Sequence, residues 1–151
     1  SNVIKAPEIS VLVPVMNEAG NIRALIDEIC DTFRDRKFEI IYIDDGSTDN
    51  SWATINLLQK NNNNIKGLSF RRNYGKSASL NIGFNMSKGD VIITMDADLQ
   101  DSPDEIPELY KMIKEEGFDI VSGWKKDRKD PLSKTIPTKL YIAVTRKVSG
   151  I

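Results

Sequence analysis

The chain has 151 residues, a length that suits one domain, and its 40% apolar and 28% charged residues provide an ordinary core under a solvated surface. It has no His and one Cys, Cys30, which excludes Ser/His and Cys/His catalytic pairs, an internal disulfide framework and a Cys-based zinc site. The net charge of −1 is unevenly divided: residues 125–147 hold eight Lys/Arg against two Asp, leaving −7 on the rest.

Strand and helix patterns alternate along the sequence. Ile9 to Pro14 is a short apolar run, predicted as strand one and ended by Pro14, which has no amide for a ladder. Asn17 is a candidate cap for the next helix, where Ile22, Leu25, Ile26, Ile29 and Phe33 fall on one stripe. Phe38 to Ile43 is strand two, running into Asp44-Asp45-Gly46-Ser47. A helix beginning near Asp49 turns Trp52, Ile55 and Leu58 inward. After the polar turn Asn61 to Asn64 come strand three, Ile65 to Phe70, a helix over Lys76 to Met86, and strand four, Val91 to Met95.

Ser102-Pro103-Asp104-Glu105 is a helix start, with Ser as cap and Pro at the first helical position. Ile106, Leu109, Tyr110 and Ile113 supply that helix's apolar face, Gly117 stops it, and Phe118 to Ser122 is strand five. From Pro131 to Ile151, Ile136, Leu140, Val144 and Val148 are nearly at helical spacing, with Lys139, Arg146 and Lys147 beside them. Such a basic amphipathic helix either lies on a membrane or packs on further protein. The basic tail likewise suits an anionic partner, lipid headgroups among them, or simply a solvated helix.

The expected fold class is therefore α/β, a mainly parallel sheet with helices on both faces. In such sheets ligands bind beyond the carboxyl ends of the strands. Those ends carry the polar residues here: Asn17-Glu18, Asp44-Asp45-Gly46-Ser47, Arg71-Arg72-Asn73-Tyr74-Gly75-Lys76, Asp96-Ala97-Asp98 and Gly123-Trp124-Lys125.

Asp96 and Asp98, at i and i+2 past a buried strand, repel each other unless a divalent cation sits beside them. Mg²⁺ or Mn²⁺ takes oxygen ligands and phosphate oxygens together. The plain alternative is helix capping in a solvated acidic loop. Of the Asp44-Asp45 pair, one carboxylate can accept from a nucleobase N–H; a turn with a cap explains Gly46 and Ser47 equally well. Glu18 is another carboxylate on this rim, or simply a favourable charge at a helix N-terminus. The Arg71 to Ser77 stretch suits an anion at a helix start or is a solvated basic turn; it is no Walker loop, since G-x-x-x-x-G-K-[ST] is absent.

Taken in order, VLVPVMNEAGNI, IIYIDDGSTDNS, RRNYGKSASLNIGF, VIITMDADLQDSPDEIPEL and DIVSGWKKDRKD resemble glycosyltransferase family 2. The resemblance is to its polyprenyl-phosphate branch, the dolichol-phosphate mannosyltransferase-like and bactoprenol glucosyltransferase-like enzymes. It implies a GT-A fold with a Rossmann-like sheet, a nucleotide-diphosphate sugar donor (a UDP or GDP sugar), Mg²⁺ or Mn²⁺, and inverting transfer to a lipid phosphate. By motif position Pro14, Met16 and Glu18 line the nucleotide pocket, and Asp45 with Ile43 beside it meets the base. Asp96 and Asp98 surround the metal and diphosphate, Asp98 serves catalysis, and Gln100 lies near. Lys125 stands where the family often has Arg, which removes a forked grip on phosphate.

The resemblance makes residues 1–151 the nucleotide-sugar-binding part of one catalytic domain, with acceptor motifs and any membrane helices beyond Ile151. The expected location is then the cytoplasmic side of a membrane. No stretch in the chain itself reaches the ~20 apolar residues of a span, and Ser1-Asn2-Val3 begins no signal-peptide run.

Other functions remain open from sequence: a family 2 transferase with a cell-wall or polysaccharide acceptor, and a non-catalytic nucleotide-binding or membrane-docking module. A signalling receiver domain shares the five-strand plan. It needs acids after strand one and an Asp after strand three, where this chain has Pro14 and Arg71-Arg72.

Overall fold

The computed structural model describes residues 6–95 and 140–145. The elements are β1 (Ile9–Val15), α1 (Ile22–Thr32), β2 (Phe38–Asp44), α2 (Ser51–Asn61), β3 (Ile65–Ser69), α3 (Lys76–Met86), β4 (Val91–Met95) and β5 (Leu140–Thr145). They build one sheet in the order β3-β2-β1-β4-β5. The first four strands are parallel, and β5 runs antiparallel to β4, with Leu140 opposite Met95.

The strand sequences are almost unbroken apolar runs because both faces of the sheet are covered. Ile9, Val11, Val13, Ile40, Tyr42, Val91 and Ile93 point to the face packed by Leu25, Ile26 and Ile29 of α1 and Ile55 and Leu58 of α2. Leu12, Ile41, Ile43 and Ile92 point to the other face, with Phe84 and Met86 of α3 against them. Gly83 lets α3 come close: a Cβ there would lie 2.9 Å from Ile43 Cδ1 and 3.0 Å from Leu12 Cδ1. The chain thus winds β1-β2-β3 in one direction and crosses to β4 on the other side of β1. In open α/β sheets such a reversal, here at the carboxyl ends of β1 and β4, is where ligands bind.

Two expectations are corrected. Pro14 does not end β1; it lies within the strand, opposite Ile43. The Asp45 amide donates to the Val15 carbonyl at 2.8 Å, so Val15 faces β2 and, by alternation, the Pro14 nitrogen faces β4. The β1–β2 ladder therefore needs no donor from Pro14, which lies past the described pairing with β4, Ile9 opposite Val91 to Leu12 opposite Thr94.

The second correction concerns the predicted basic helix over 131–151. Leu140 to Thr145 are a strand, so no helix runs through that segment. Leu140 and Val144 fit either period, and the open edge of β4 decides between them: pairing with a sheet overrides a weak local pattern. Ile136, Lys139, Arg146, Lys147 and Val148 lie outside the described residues, as do the helix expected from Ser102 and the strand expected over Phe118 to Ser122.

The amino end of the sheet is fastened by a buried carboxylate. Glu39 of β2 is 3% exposed. Its Oε1 pairs with Lys66 Nζ of β3 at 2.7 Å. Its Oε2 accepts from Ser10 Oγ of β1 at 2.5 Å and from the Lys88 amide at 2.7 Å. Ser10 Oγ in turn accepts from the Gly89 amide at 2.8 Å, so one chain of bonds ties three strands to the approach to β4.

Burial pushes the Glu39 carboxyl up, and the bonds from Lys66, Ser10 and Lys88 outweigh it, holding the group below its ordinary 4.5. A depressed pKa stabilises the fold above the unfolded value, and that stabilisation is lost as pH falls through the folded one. Glu39→Gln is expected to lower unfolding free energy near neutrality by about 1–3 kcal/mol. The gap to the parent protein should close below pH 4.5, which urea melts at descending pH will read.

Candidate functional site

Three loops meet at the carboxyl edge: residues 16–21 after β1, 45–50 after β2 and 70–75 after β3. Each is held by side-chain oxygens that receive backbone amides of a neighbour. Asn17 adopts φ 54, a left-handed turn that Asn tolerates better than most residues. Its Oδ1 accepts from the Thr48 amide at 2.8 Å, the Asp49 amide at 3.2 Å and Thr48 Oγ1 at 3.3 Å. In return the amides of Asn17, Glu18 and Ala19 donate to Ser47 Oγ, Ser51 Oγ and Asp49 Oδ2 at 2.9, 3.0 and 3.3 Å. The β1 and β2 loops are thereby zipped together.

Asn17 is therefore not the cap of α1; Asn21 stands at that position, without a side-chain capping bond. Ser47 does not cap α2 either, since its hydroxyl receives the Asn17 amide. Asp49 Oδ1 accepts the Ser51 amide at 2.8 Å just ahead of α2. Hydrogen bonds from Ser51, side chain first, hold the Asp49 carboxyl below the usual range.

The adjacent acids Asp44, the last residue of β2, and Asp45, just past it, have separate partners. Asp44, 1% exposed, accepts from the Ser47 amide at 3.3 Å and from Ser69 Oγ at 3.2 Å. Asp45, 6% exposed, reaches the β3 loop: Oδ1 accepts the Tyr74 amide at 2.7 Å and Oδ2 the Gly75 amide at 3.0 Å. Two neutral donors leave each oxygen with a further lone pair. Gly46 makes this crossing possible. It sits at φ +77, and a Cβ there would lie 2.5 Å from the Arg72 carbonyl carbon and 2.6 Å from the Asn73 nitrogen.

The remaining predicted residues fall as follows. Met16 is 41% exposed on the rim, and Asn73 Nδ2 donates to its sulfur at 3.7 Å. Glu18 Oε2 accepts from Asn21 Nδ2 at 2.8 Å, ahead of α1. Pro14 is half-buried opposite Ile43, and Ile43 is wholly buried under α3 rather than on the rim. So Met16 and Asp45 meet the β3 loop, while Glu18 is held by Asn21 and by Ser51 of α2. Asp96, Asp98, Gln100 and Lys125 lie outside the described residues. Sequence reasoning missed what Asn17 and Tyr74 do here. Only the tolerance of Asn for positive φ pointed to the first; no local pattern marks the second.

Residues 10–148 match the family described as glycosyl transferase family 2. Among curated proteins, the undecaprenyl-phosphate 4-deoxy-4-formamido-L-arabinose transferase of Proteus mirabilis is 34% identical over 149 residues, which is 97% of this chain and 45% of that protein. The protein of the same name from Aeromonas hydrophila is 35% identical over 147 residues, 95% of this chain and 44% of its own length. The chain spans less than half the length of these relatives.

Among solved structures, a Pyrobaculum calidifontis mannosyltransferase in complex with GDP-Man and Mn²⁺ superposes with TM-score 0.73 at 21% identity, over 97% of this chain and 47% of that one. A Mycobacterium tuberculosis glucosyl-3-phosphoglycerate synthase with Mn²⁺, UDP and glucosyl-3-phosphoglycerate gives 0.67 at 21%, over 94% and 58%. The chain belongs to glycosyl transferase family 2 and has the GT-A fold.

The loop crossing is testable without any ligand. Gly46→Ala forces both the positive φ and the contact with the Arg72–Asn73 backbone, and is expected to cost about 1–3 kcal/mol. Asn17→Gly keeps the turn and removes its three-donor acceptor, at a smaller cost of about 1 kcal/mol. Chemical denaturation of both variants beside the parent will rank them.

Proposed function

We propose that this family 2 chain is the donor-binding part of an inverting transferase that moves a sugar from a nucleotide-diphosphate sugar to a polyprenyl-phosphate lipid. The carrying observation is the identity of about a third, over nearly the whole chain, to transferases whose names specify undecaprenyl phosphate. The fold supports it. The loops after β1, β2 and β3 converge at one edge, and β4 brings Met95, the residue just before Asp96, to that edge.

In this reading Asp45 receives a base N–H on the lone pairs that the Tyr74 and Gly75 amides leave. Pro14, Met16 and Glu18 border the nucleotide, with Ile43 supporting the strand end. Asp96 and Asp98 would hold Mg²⁺ or Mn²⁺ against the diphosphate, with Gln100 beside them and Lys125 as a point charge. An all-carboxylate donor set suits these hard dications. Among the described residues no group of three or more His, Cys, Asp or Glu offers a competing metal site. When bound, the metal would neutralise charge on the departing diphosphate.

The acceptor phosphate is largely ionised near neutral pH (second pKa about 6) and needs little help from a base. Its oxygen forms a bond to the anomeric carbon. The bond from that carbon to the diphosphate oxygen breaks, and the nucleoside diphosphate leaves with the electron pair, inverting the centre. A lipid acceptor requires approach to a membrane surface, taken here to be the cytoplasmic side; no described helix is long and apolar enough to cross one.

Two measurements test the reading. Melting of the protein with UDP, GDP and their sugars should rise in Mn²⁺ and return to baseline in EDTA; no shift with either nucleotide refutes donor binding. In the complete natural protein, Asp98→Ala should lower transfer to polyprenyl phosphate by about a hundredfold or more. Undiminished metal-dependent transfer would remove Asp98 from the mechanism.

A further inference from the structure

Three large apolar side chains are exposed among the described residues: Met16, Leu57 and Tyr74. Leu57 stands alone on α2. Met16 and Tyr74 share the carboxyl edge, joined through the Asn73 contact to the Met16 sulfur. Tyr74 is 54% exposed, yet it is held from three directions. Its amide is clamped by Asp45 at 2.7 Å. Phe70 meets its ring edge-on, with centroids 5.4 Å apart and planes at 79°. The Arg72 guanidinium lies 4.7 Å from its ring centroid.

An aromatic ring that stays in water after its loop has been ordered gains little for the fold. Burial would return about 25 cal/mol per Å² of apolar surface, and a residue 54% exposed forgoes much of it. The bracing instead fixes a flat surface on the residue whose own amide meets a buried carboxylate with acceptor capacity left. A nucleobase is the ligand that uses both at once, with a planar face to stack and an N–H edge to donate. Aromatic rings and guanidinium planes both stack on bases, so the Arg72–Tyr74 pair presents a suitable surface from either side.

We propose that Tyr74 is a specificity-determining residue of the donor site, its braced ring serving as the stacking face for the nucleobase whose N–H Asp45 receives. The proposal rests on the donor-binding reading above and adds a residue from the β3 loop to it. The loop that carries the ring is positioned by the same carboxylate that meets the base. Stacking and hydrogen bonding are therefore set by one contact, and a base that donates to Asp45 arrives in register with the ring. The ring recognises the base alone and leaves the diphosphate to other groups.

Titration calorimetry on the complete natural protein in Mn²⁺ tests this, with UDP, GDP and inorganic pyrophosphate as probes. Tyr74→Leu is expected to weaken UDP and GDP at least about fivefold, the low end for a base–aromatic stack, and to leave pyrophosphate unchanged. Tyr74→Phe, which keeps the ring, should bind both nucleotides close to the parent. Equal nucleotide affinity in Tyr74→Leu would overturn the proposal, as would an equal loss of pyrophosphate, since the ring would then act on the loop or the phosphates.

Tyr74→Gln serves as a second ring deletion. Unfolding of both deletions would assign the ring to stability and overturn the proposal as well. A parent protein that binds pyrophosphate but neither nucleotide refutes the donor-binding reading itself, whatever Tyr74 does.

Discussion

The Asp45 carboxylate is the contact on which the rim of this sheet depends. It sits at the carboxyl end of β2 and takes one backbone amide from Tyr74 and one from Gly75. A loop leaving β3 would otherwise have two orphan donors beside a buried edge, each costing free energy comparable to a lost hydrogen bond. Satisfying them with one side chain fixes the path of Arg71 to Gly75 across Gly46, and it sets where α3 begins. α3 then covers Leu12, Ile41 and Ile43, so one face of the core inherits its roof from this contact.

Glu39 near the start of β2 and Asp45 just past its end are both buried carboxylates, and the difference between them separates structure from site. Glu39 at the amino end is matched by a cation, Lys66, and by two further donors on its other oxygen. A charge so compensated has little left to offer a ligand. Asp45 at the carboxyl end is matched by neutral amides alone among its described partners, so its charge is solvated but not cancelled. Buried charges are tolerated when hydrogen-bonded. Of the two, the uncancelled one is where binding a polar ligand can gain most.

Much of this was legible in the sequence because the strands are buried on both faces and read as plain apolar runs. α3 and β4 fall where the residues place them, Lys76–Met86 and Val91–Met95. Ile22, Leu25, Ile26 and Ile29 form the predicted stripe. The errors share one cause, tertiary partners that no local pattern contains. Pro14 is accepted inside β1 because its nitrogen faces away from the ladder with β2. Leu140 to Thr145 become a strand because β4 offers an open edge. Asn17 and Ser47 looked like helix caps because such residues favour amides, and they do bind amides, but those of each other's loops. That the loops after β1, β2 and β3 share one edge followed from strand order. The exposure of Tyr74 did not, since an aromatic in a short loop has no periodicity to betray it.

Charge explains why an edge of this kind calls for a cation in the proposed reading. Glu18, Asp44 and Asp45 already stand on it, and the sequence continues from β4 directly into Asp96-Ala97-Asp98. A diphosphate approaching such a surface is repelled: like charges a few ångströms apart interact by about 4 kcal/mol at the effective dielectric of a protein surface. Arg71 and Arg72 offset part of this, but they sit on the β3 loop, with two strands between β3 and β4. Lys can neutralise one charge; a dication shared by two carboxylates and the phosphates reverses the sign of the local field. In the proposed reading, the acids that would repel a bare anion would thus favour an anion that arrives with its metal.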